Sequence, residues 1–401
     1  MSGENAGWAK RSDDVIIGTY TRYPATMVKG EGCILTDAEG KEYLDCLAGI
    51  AVCSLGHCHP VVTEAICAQA RQLVHVSNLY YTQPQTELAE LLTENSFADR
   101  VFLANSGAEA NEAAIKLARI CAGYERYGII SLAGSFHGRT LATVAATGQP
   151  KFQEGFEPMP EGFSHAPFGN LNVLEAMITD QTCAIMCEPL QGEGGVRPLD
   201  VEYLKGLQDL CRKHDLLLIF DEIQTGMGRT GSLFAYEQLG IVPDIMTVAK
   251  ALGNGLPIGA MLTRKEIAAS LAPGTHGTTF GGNPVVAAGA VATLKIMLEE
   301  GFLAEVREKG DYLQKGLEDL AGRFPLLASG ARGMGLIRGL VLTEKGIEQG
   351  GAIVKALFER GVLINFAGNK ALRFLPPLII TRTELDQLLT ALGEVLGECK
   401  V

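Results

Sequence analysis

Three short stretches of the 401-residue chain combine residue types that can do chemistry, and each directly follows an apolar run. After Arg100–Leu103 the chain reads Asn105-Ser106-Gly107-Ala108-Glu109-Ala110 and enters a helical pattern. A small-residue turn that opens a helix presents unpaired backbone N–H groups and the positive end of the helix dipole, which suits a phosphate. After Leu216–Phe220 comes Asp221-Glu222-Ile223-Gln224. A continuous apolar run is a strand buried on both faces, and it delivers a carboxylate at its end that can accept a charge-assisted hydrogen bond. After Ile245–Val248 comes Ala249-Lys250, followed by the glycine-containing turn Gly253-Asn254-Gly255. Burial disfavours a charged lysine, and a neutral amine is a nucleophile.

Each stretch also has a plain structural alternative: Ser106 as a helix cap, Asp221 as a capping residue in a βα loop, Lys250 as a snorkelling side chain at a strand edge. Together they carry more meaning. A phosphate seat, a strand-end aspartate and a strand-end lysine are the anchors that pyridoxal phosphate needs. Backbone amides hold its phosphate, the carboxylate keeps its ring nitrogen protonated, and the lysine carries its aldehyde.

The elements that must position these residues follow a regular rhythm. Helical periodicity covers Thr86–Glu94, Ala108–Ala122, Leu171–Ile178 and Val201–His214. Short apolar strands lie between them at Arg100–Leu103, Gly128–Leu132, Cys183–Cys187, Leu216–Asp221 and Ile245–Val248. Alternation of this kind implies an α/β fold with a mainly parallel sheet covered by helices on both faces. Ligands then sit at the carboxyl ends of the strands, where the three stretches fall. Upstream, Cys33–Thr36 and Glu42–Leu44 flank the turn Asp37-Ala38-Glu39-Gly40, a hairpin pattern. Downstream, a long helical stretch is expected from Pro284 to about Ala321. Strands follow at Gly335–Thr343, Leu363–Asn365 and Leu372–Phe374, and a last helix from Thr383 to Leu396. The expected organisation is an N-terminal segment over 1–55 packing with a smaller α+β unit at 284–401, and a large ligand-holding unit at 56–283.

Composition narrows the function. With 34 Lys+Arg against 46 Asp+Glu the formal net charge is −12, which gives no reason to bind nucleic acid or an anionic membrane. Glycine is high at 48 of 401 residues, against ~7% in ordinary proteins, as expected where many tight turns or close backbone approaches occur. The N-terminus has no apolar stretch behind its charges, and apolar runs such as Leu375–Ile380 fall far short of a membrane span. The ten cysteines are scattered without a CxxC spacing, as in reduced proteins, so a cytoplasmic location is expected. Gly226-Met227-Gly228-Arg229-Thr230-Gly231 fits the dinucleotide-binding spacing, but Asp221–Thr225 separates it from its strand, which argues against a nicotinamide oxidoreductase. His57-Cys58-His59 lacks a third ligand at a suitable spacing, and no metal is expected.

Beyond these features the chain resembles the class III pyridoxal-phosphate aminotransferases of fold type I. The resemblance runs from Gly30-Glu31-Gly32 and Leu55-Gly56-His57-Cys58-His59-Pro60 to the arginine strand at Arg373. It implies a catalytic set of Lys250, Asp221 and Glu193. Gly107 and Ala108 would bind the cofactor phosphate, Phe136 would stack on the cofactor ring, and the Asp221-Glu222-Ile223-Gln224 stretch would lie against it, with Gln224 near its ring oxygen. Arg139, in Ser135-Phe136-His137-Gly138-Arg139-Thr140, would grip a substrate carboxylate, while His137 is expected to be structural. In Glu188-Pro189-Leu190-Gln191-Gly192-Glu193-Gly194-Gly195, Glu193 would pair with Arg373 while an amine donor is bound and release it when a dicarboxylate enters. Thr279 would reach the phosphate of a neighbouring subunit's cofactor, with Thr278 beside the substrate, so a homodimer with shared active sites is implied.

The implied reaction carries the terminal amine of N2-acetyl-L-ornithine to 2-oxoglutarate, a step of arginine biosynthesis. Succinylornithine, succinyldiaminopimelate, ornithine and 4-aminobutyrate remain as alternative donors for the same machinery.

Overall fold

The computed structural model describes residues 3–399. At its centre is a seven-stranded sheet, whose order from one edge is Arg100–Ala104, Gly259–Thr263, Ile245–Val248, Leu217–Asp221, Thr182–Cys187, Gly128–Leu132 and Phe163–Ala166. The last five run parallel, while Gly259–Thr263 is antiparallel to both neighbours. Ile245–Val248 and Thr182–Cys187 are buried along their whole length, which is why their sequences are mostly apolar, with Thr247 and Thr182 the polar exceptions. Strands expected from apolar patterning fall within a residue of those observed. Phe163–Ala166 and Gly259–Thr263 were not anticipated: the first carries polar Ser164 and His165, and the second follows a glycine-rich turn that masks its start.

Helices cover the faces. In Gly107–Ala122 the small residues Ala110, Ala113, Ala114 and Ala118 are buried, so the helix lies close on the sheet. Its first turn is fixed by Ser106, whose Oγ accepts from the Glu109 N–H at 3.2 Å. Val201–His214 is capped by Asp200, ends in a basic turn and stops at Asp215 in the left-handed region.

The C-terminal part has its own antiparallel sheet, in the order Ala328–Met334, Ile337–Leu342, Ala371–Phe374 and Asn365–Ala367. Phe302–Arg323, Glu344–Glu359 and Arg382–Glu398 are its helices. The stretch expected as one helix from Pro284 is two, Pro284–Met297 and Phe302–Arg323, broken at Gly301 with φ 89°. The first of these packs on Pro60–Gln72 and Gln83–Glu94 of the preceding region. The expected strand Leu363–Asn365 is split in two: Val362–Leu363 pairs parallel with Glu42–Asp45, whereas Asn365–Ala367 pairs with Ala371–Phe374. The N-terminal hairpin strands Ile34–Asp37 and Glu42–Asp45 therefore share a sheet with a C-terminal strand.

Arg229, inside the GxGxxG-like stretch, ties these parts together. It is fully buried and donates to the Leu336 carbonyl, the Pro376 carbonyl and Ser54 Oγ. The stretch opens no helix, so it provides no dinucleotide seat. All ten cysteines are free, and no cluster among the described residues could hold a metal ion. No helix among the described residues is long and apolar enough to cross a membrane.

His57 is held by Asp45, with Nε2 to Oδ2 at 2.7 Å. That hydrogen bond, with a further one from Cys53, raises the imidazole from 6.5 to about 10. A raised folded-state value means that the stabilisation is complete below pH 6.5 and is lost as pH climbs through about 10. Because the ring is partly exposed, the effect is on the order of 2 kcal/mol. Urea unfolding of wild type against His57→Asn across this range should therefore show a steeper alkaline loss in wild type. Parallel pH profiles would remove the assignment.

Candidate active site

The polar residues that follow successive strands converge on one cavity of about 450 Å³ at the carboxyl edge of the large sheet. Gly107 and Ala108 form one wall. They stand at the start of a helix, where their N–H groups have no intrahelical acceptor. A side chain at position 107 would bring its Cβ within 2.7 Å of Ile223 Cδ1, so glycine is what permits this turn to lie against the opposite wall. Asn105 is locked behind the turn: its N–H and Nδ2 both donate to Glu109 Oε2, at 2.7 and 2.8 Å.

Asp221 enters from the end of Leu217–Asp221 and is almost wholly buried. Its Oδ2 lies 2.8 Å from His137 Nδ1 and accepts from Asn111 Nδ2 at 2.8 Å, and its Oδ1 accepts from the Ile223 N–H at 3.1 Å. Asn111 is itself held by Thr247, whose hydroxyl donates to Asn111 Oδ1 at 2.7 Å. Three donors fix the direction of the carboxylate while leaving Oδ1 able to accept again. Asn111 is a functional neighbour that sequence reasoning missed. Its only signal is an asparagine on the buried face of a helix whose other buried positions are apolar.

Lys250 follows Ile245–Val248 in a left-handed conformation, φ 45°, which is unusual for a side chain of this size and aims it into the cavity. Burial pushes its amine below the ordinary lysine range, opposed by the charge of Glu193 and reinforced by that of Arg373. Glu188 sits in the same wall, with Oε2 accepting from the Phe136 N–H at 3.1 Å. Burial first, then the neighbouring Asp221 charge, raises its carboxyl well above the usual range.

Phe136 and Arg139 close another side of the cavity. The Arg139 guanidinium lies 4.1 Å from the Phe152 ring centroid and 5.7 Å from that of Phe136, a cation–π cradle that orients it. Glu193 and Gln224 line the cavity, and Arg373 joins them from behind. Arg373 Nη1 donates to Glu193 Oε1 at 2.6 Å and to Gln224 Oε1 at 3.1 Å. Burial alone would raise the Glu193 carboxyl, but the charge and hydrogen bond of Arg373 bring it below its ordinary value. Gln224 also joins the pair through its Nε2, 3.4 Å from Glu193 Oε1.

Three expected residues lie elsewhere. Glu222 is a correction: it points away from the cavity, and its carboxylate accepts from the N–H groups of Ala235 and Tyr236 and from Thr225. A βα-loop carboxylate satisfies a helix terminus as readily as a ligand, and burial raises it to about 7. Thr278 packs behind the turn, where its Oγ1 accepts from Asn105 Nδ2 at 3.0 Å. Thr279 lines a separate small cavity with Ser77 and Asn78.

These residues fit pyridoxal phosphate: free helix-terminal amides for an anion, an oriented carboxylate for a protonated ring nitrogen, and an amine of lowered basicity share one enclosed space. Comparison with known proteins agrees. Residues 18–396 match the family model described as Aminotransferase class-III. The acetylornithine aminotransferase of Methanocaldococcus jannaschii is 49% identical over 404 residues, 100% of both chains. The crystal structure of the N-acetylornithine aminotransferase from Stenotrophomonas maltophilia superposes with a TM-score of 0.83 at 38% identity, covering 97% of this chain and 98% of that one. The ornithine aminotransferase of Toxoplasma gondii gives a TM-score of 0.93 at 32% identity, covering 98% and 95%. The chain belongs to the class-III aminotransferases. It is a pyridoxal-phosphate-dependent enzyme that moves amino groups, built on the α/β fold of those transferases.

Proposed function

We propose that this aminotransferase carries the terminal amine of N2-acetyl-L-ornithine to 2-oxoglutarate, yielding N-acetyl-L-glutamate 5-semialdehyde and L-glutamate, within arginine biosynthesis. The observation that carries this reading is near-50% identity along the whole chain to relatives named for that donor. The Glu193–Arg373 pair beside a second arginine, Arg139, supports a site that alternates between a donor with a single carboxylate, remote from its reacting amine, and an acceptor with two.

Pyridoxal phosphate, when bound, supplies a carbonyl carbon that takes up the amine and a conjugated ring that spreads the electron pair left by a departing C–H proton. The protein's own groups do the rest. The Gly107 and Ala108 amides would hold the phosphate, Phe136 would bound a face of the ring, and Asp221 would accept a hydrogen bond from the ring nitrogen. Lys250 would anchor the cofactor covalently at rest. Its amine would take the proton from the amine-bearing carbon of the donor and return one on the other side of the exchange. Arg139 binds the carboxylate that donor and acceptor share. Arg373 stays masked by Glu193 for the donor and takes the second carboxylate of 2-oxoglutarate.

The same reading assigns the cofactor-holding unit to 56–283 and the smaller unit to 284–401 with the 1–55 segment. It takes the active form as a homodimer in which Thr279 serves the partner's phosphate. Exposed Leu79, Tyr80, Tyr81 and Phe280, next to the Thr279 cavity, support a covered apolar face there. Sedimentation should report twice the 42.7 kDa chain mass, and a monomer with full activity would remove this assignment.

The donor is tested with a panel at saturating 2-oxoglutarate. Acetylornithine should exceed ornithine and 4-aminobutyrate in kcat/KM by at least about tenfold, the scale expected when a site loses contacts to part of a substrate. Ornithine as the preferred donor would overturn the choice of substrate while leaving the aminotransferase intact.

A further inference from the structure

Arg373 lies on the strand Ala371–Phe374 and is fully buried, yet its guanidinium is not neutralised on every side. Nη1 faces Glu193 and Gln224, Nη2 has no partner, and Nε donates to Asn365 Oδ1 at 3.0 Å. The asparagine is there by register. Asn365 and Arg373 are directly opposed in the antiparallel pair, while the residue opposed to Arg373 on its other flank is Gly339, which has no side chain to compete.

The two halves of the ion pair differ in freedom. The Glu193 side chain is 30% exposed and that of Arg373 is 0% exposed. Glu193 sits between Gly192 and Gly194 in an irregular segment, whereas Arg373 is in the middle of a four-stranded sheet and pinned at Nε. A guanidinium has two usable faces, and occupying Nε with a carbonyl leaves the Nη1–Nη2 end as the one free for a planar carboxylate. A neutral acceptor at this position orients the cation without cancelling its charge.

We propose that Asn365 is the positioning residue of the acceptor half-reaction. It holds Arg373 stationary so that only Glu193 moves, and by being uncharged it leaves the arginine's full charge for the second carboxylate of the incoming acid. The proposal rests on the reading of Arg373 as the grip for that carboxylate. It also explains the unpartnered Nη2, a buried donor that an incoming carboxylate satisfies.

The test uses holoenzyme and glutarate, a dicarboxylate that cannot react, titrated by calorimetry into wild type, Asn365→Ala, Asn365→Asp and Arg373→Ala. Both Asn365 variants should bind glutarate at least about tenfold more weakly, as expected for loss of a hydrogen bond to a charged group in one case and neutralisation of the arginine in the other. KM for 2-oxoglutarate should rise by a similar factor, and the donor half-reaction, followed by single-turnover absorbance, should slow far less. Two variants of opposite kind guard against a folding defect in one, since the aspartate preserves size and shape. Wild-type glutarate affinity in Asn365→Asp overturns the proposal if Arg373→Ala has lost binding. If Arg373→Ala also retains wild-type affinity, the carboxylate-grip reading fails instead.

Discussion

Lys250→Ala should lower transamination by at least about four orders of magnitude, because one substitution removes both the covalent anchor and the group that carries the proton. Among the described residues no other amine lines the cavity, where the remaining guanidinium is that of Arg139. The loss should be chemical rather than structural. Removing an amine whose charged form is already disfavoured by burial leaves no orphaned ion, and the thermal midpoint should stay within a few degrees of wild type. Borohydride treatment of wild type should fix the cofactor to the peptide that contains Lys250, and the variant should take up no such label. A variant that still turns over acetylornithine within tenfold of wild type would place the proton-carrying group elsewhere.

Asp221→Ala should lower kcat by about two to four orders of magnitude, the range expected when one partner of a buried, hydrogen-bonded charge pair is deleted. The geometry sets this size. His137, Asn111 and the Ile223 N–H hold the carboxylate from three directions, so it has little freedom to be replaced by water. The apoenzyme of this variant should also bind pyridoxal phosphate more weakly, a measurement independent of turnover. Asp221→Asn keeps the size but leaves His137 Nδ1 and Asn111 Nδ2 facing an amide, and should be nearly as impaired. Near-normal cofactor affinity together with near-normal kcat in both variants would sink the assignment.

Much of the fold was legible because its signals are local. An apolar run that ends in a polar residue marks a buried parallel strand wherever it occurs, and five such runs were found in register with the observed sheet. The helix Glu344–Glu359 escaped notice because it follows strand-like residues and contains Gly346, Gly350 and Gly351, which weaken a helical pattern. Those glycines have packing reasons that only the structure reveals: at Gly346 a Cβ would meet the Leu327 carbonyl, and at Gly350 the Phe366 ring. Glu222 was misread for the opposite reason. It is adjacent in sequence to a site residue, but successive residues at a strand end point in opposite directions.

The amino-acid sequence by itself determined the chemistry: a helix-opening turn for an anion, an acid at one strand end and an amine at another. These depend on short-range patterning and on the rule that ligands gather at the carboxyl ends of parallel strands. Tertiary structure alone decided which distant groups meet. Glu193 and Arg373 are 180 positions apart, and Asn111 and Asp221 are 110 apart. Their contacts follow from strand order and register, which are set by packing over the whole molecule and leave no mark in any local window of residues.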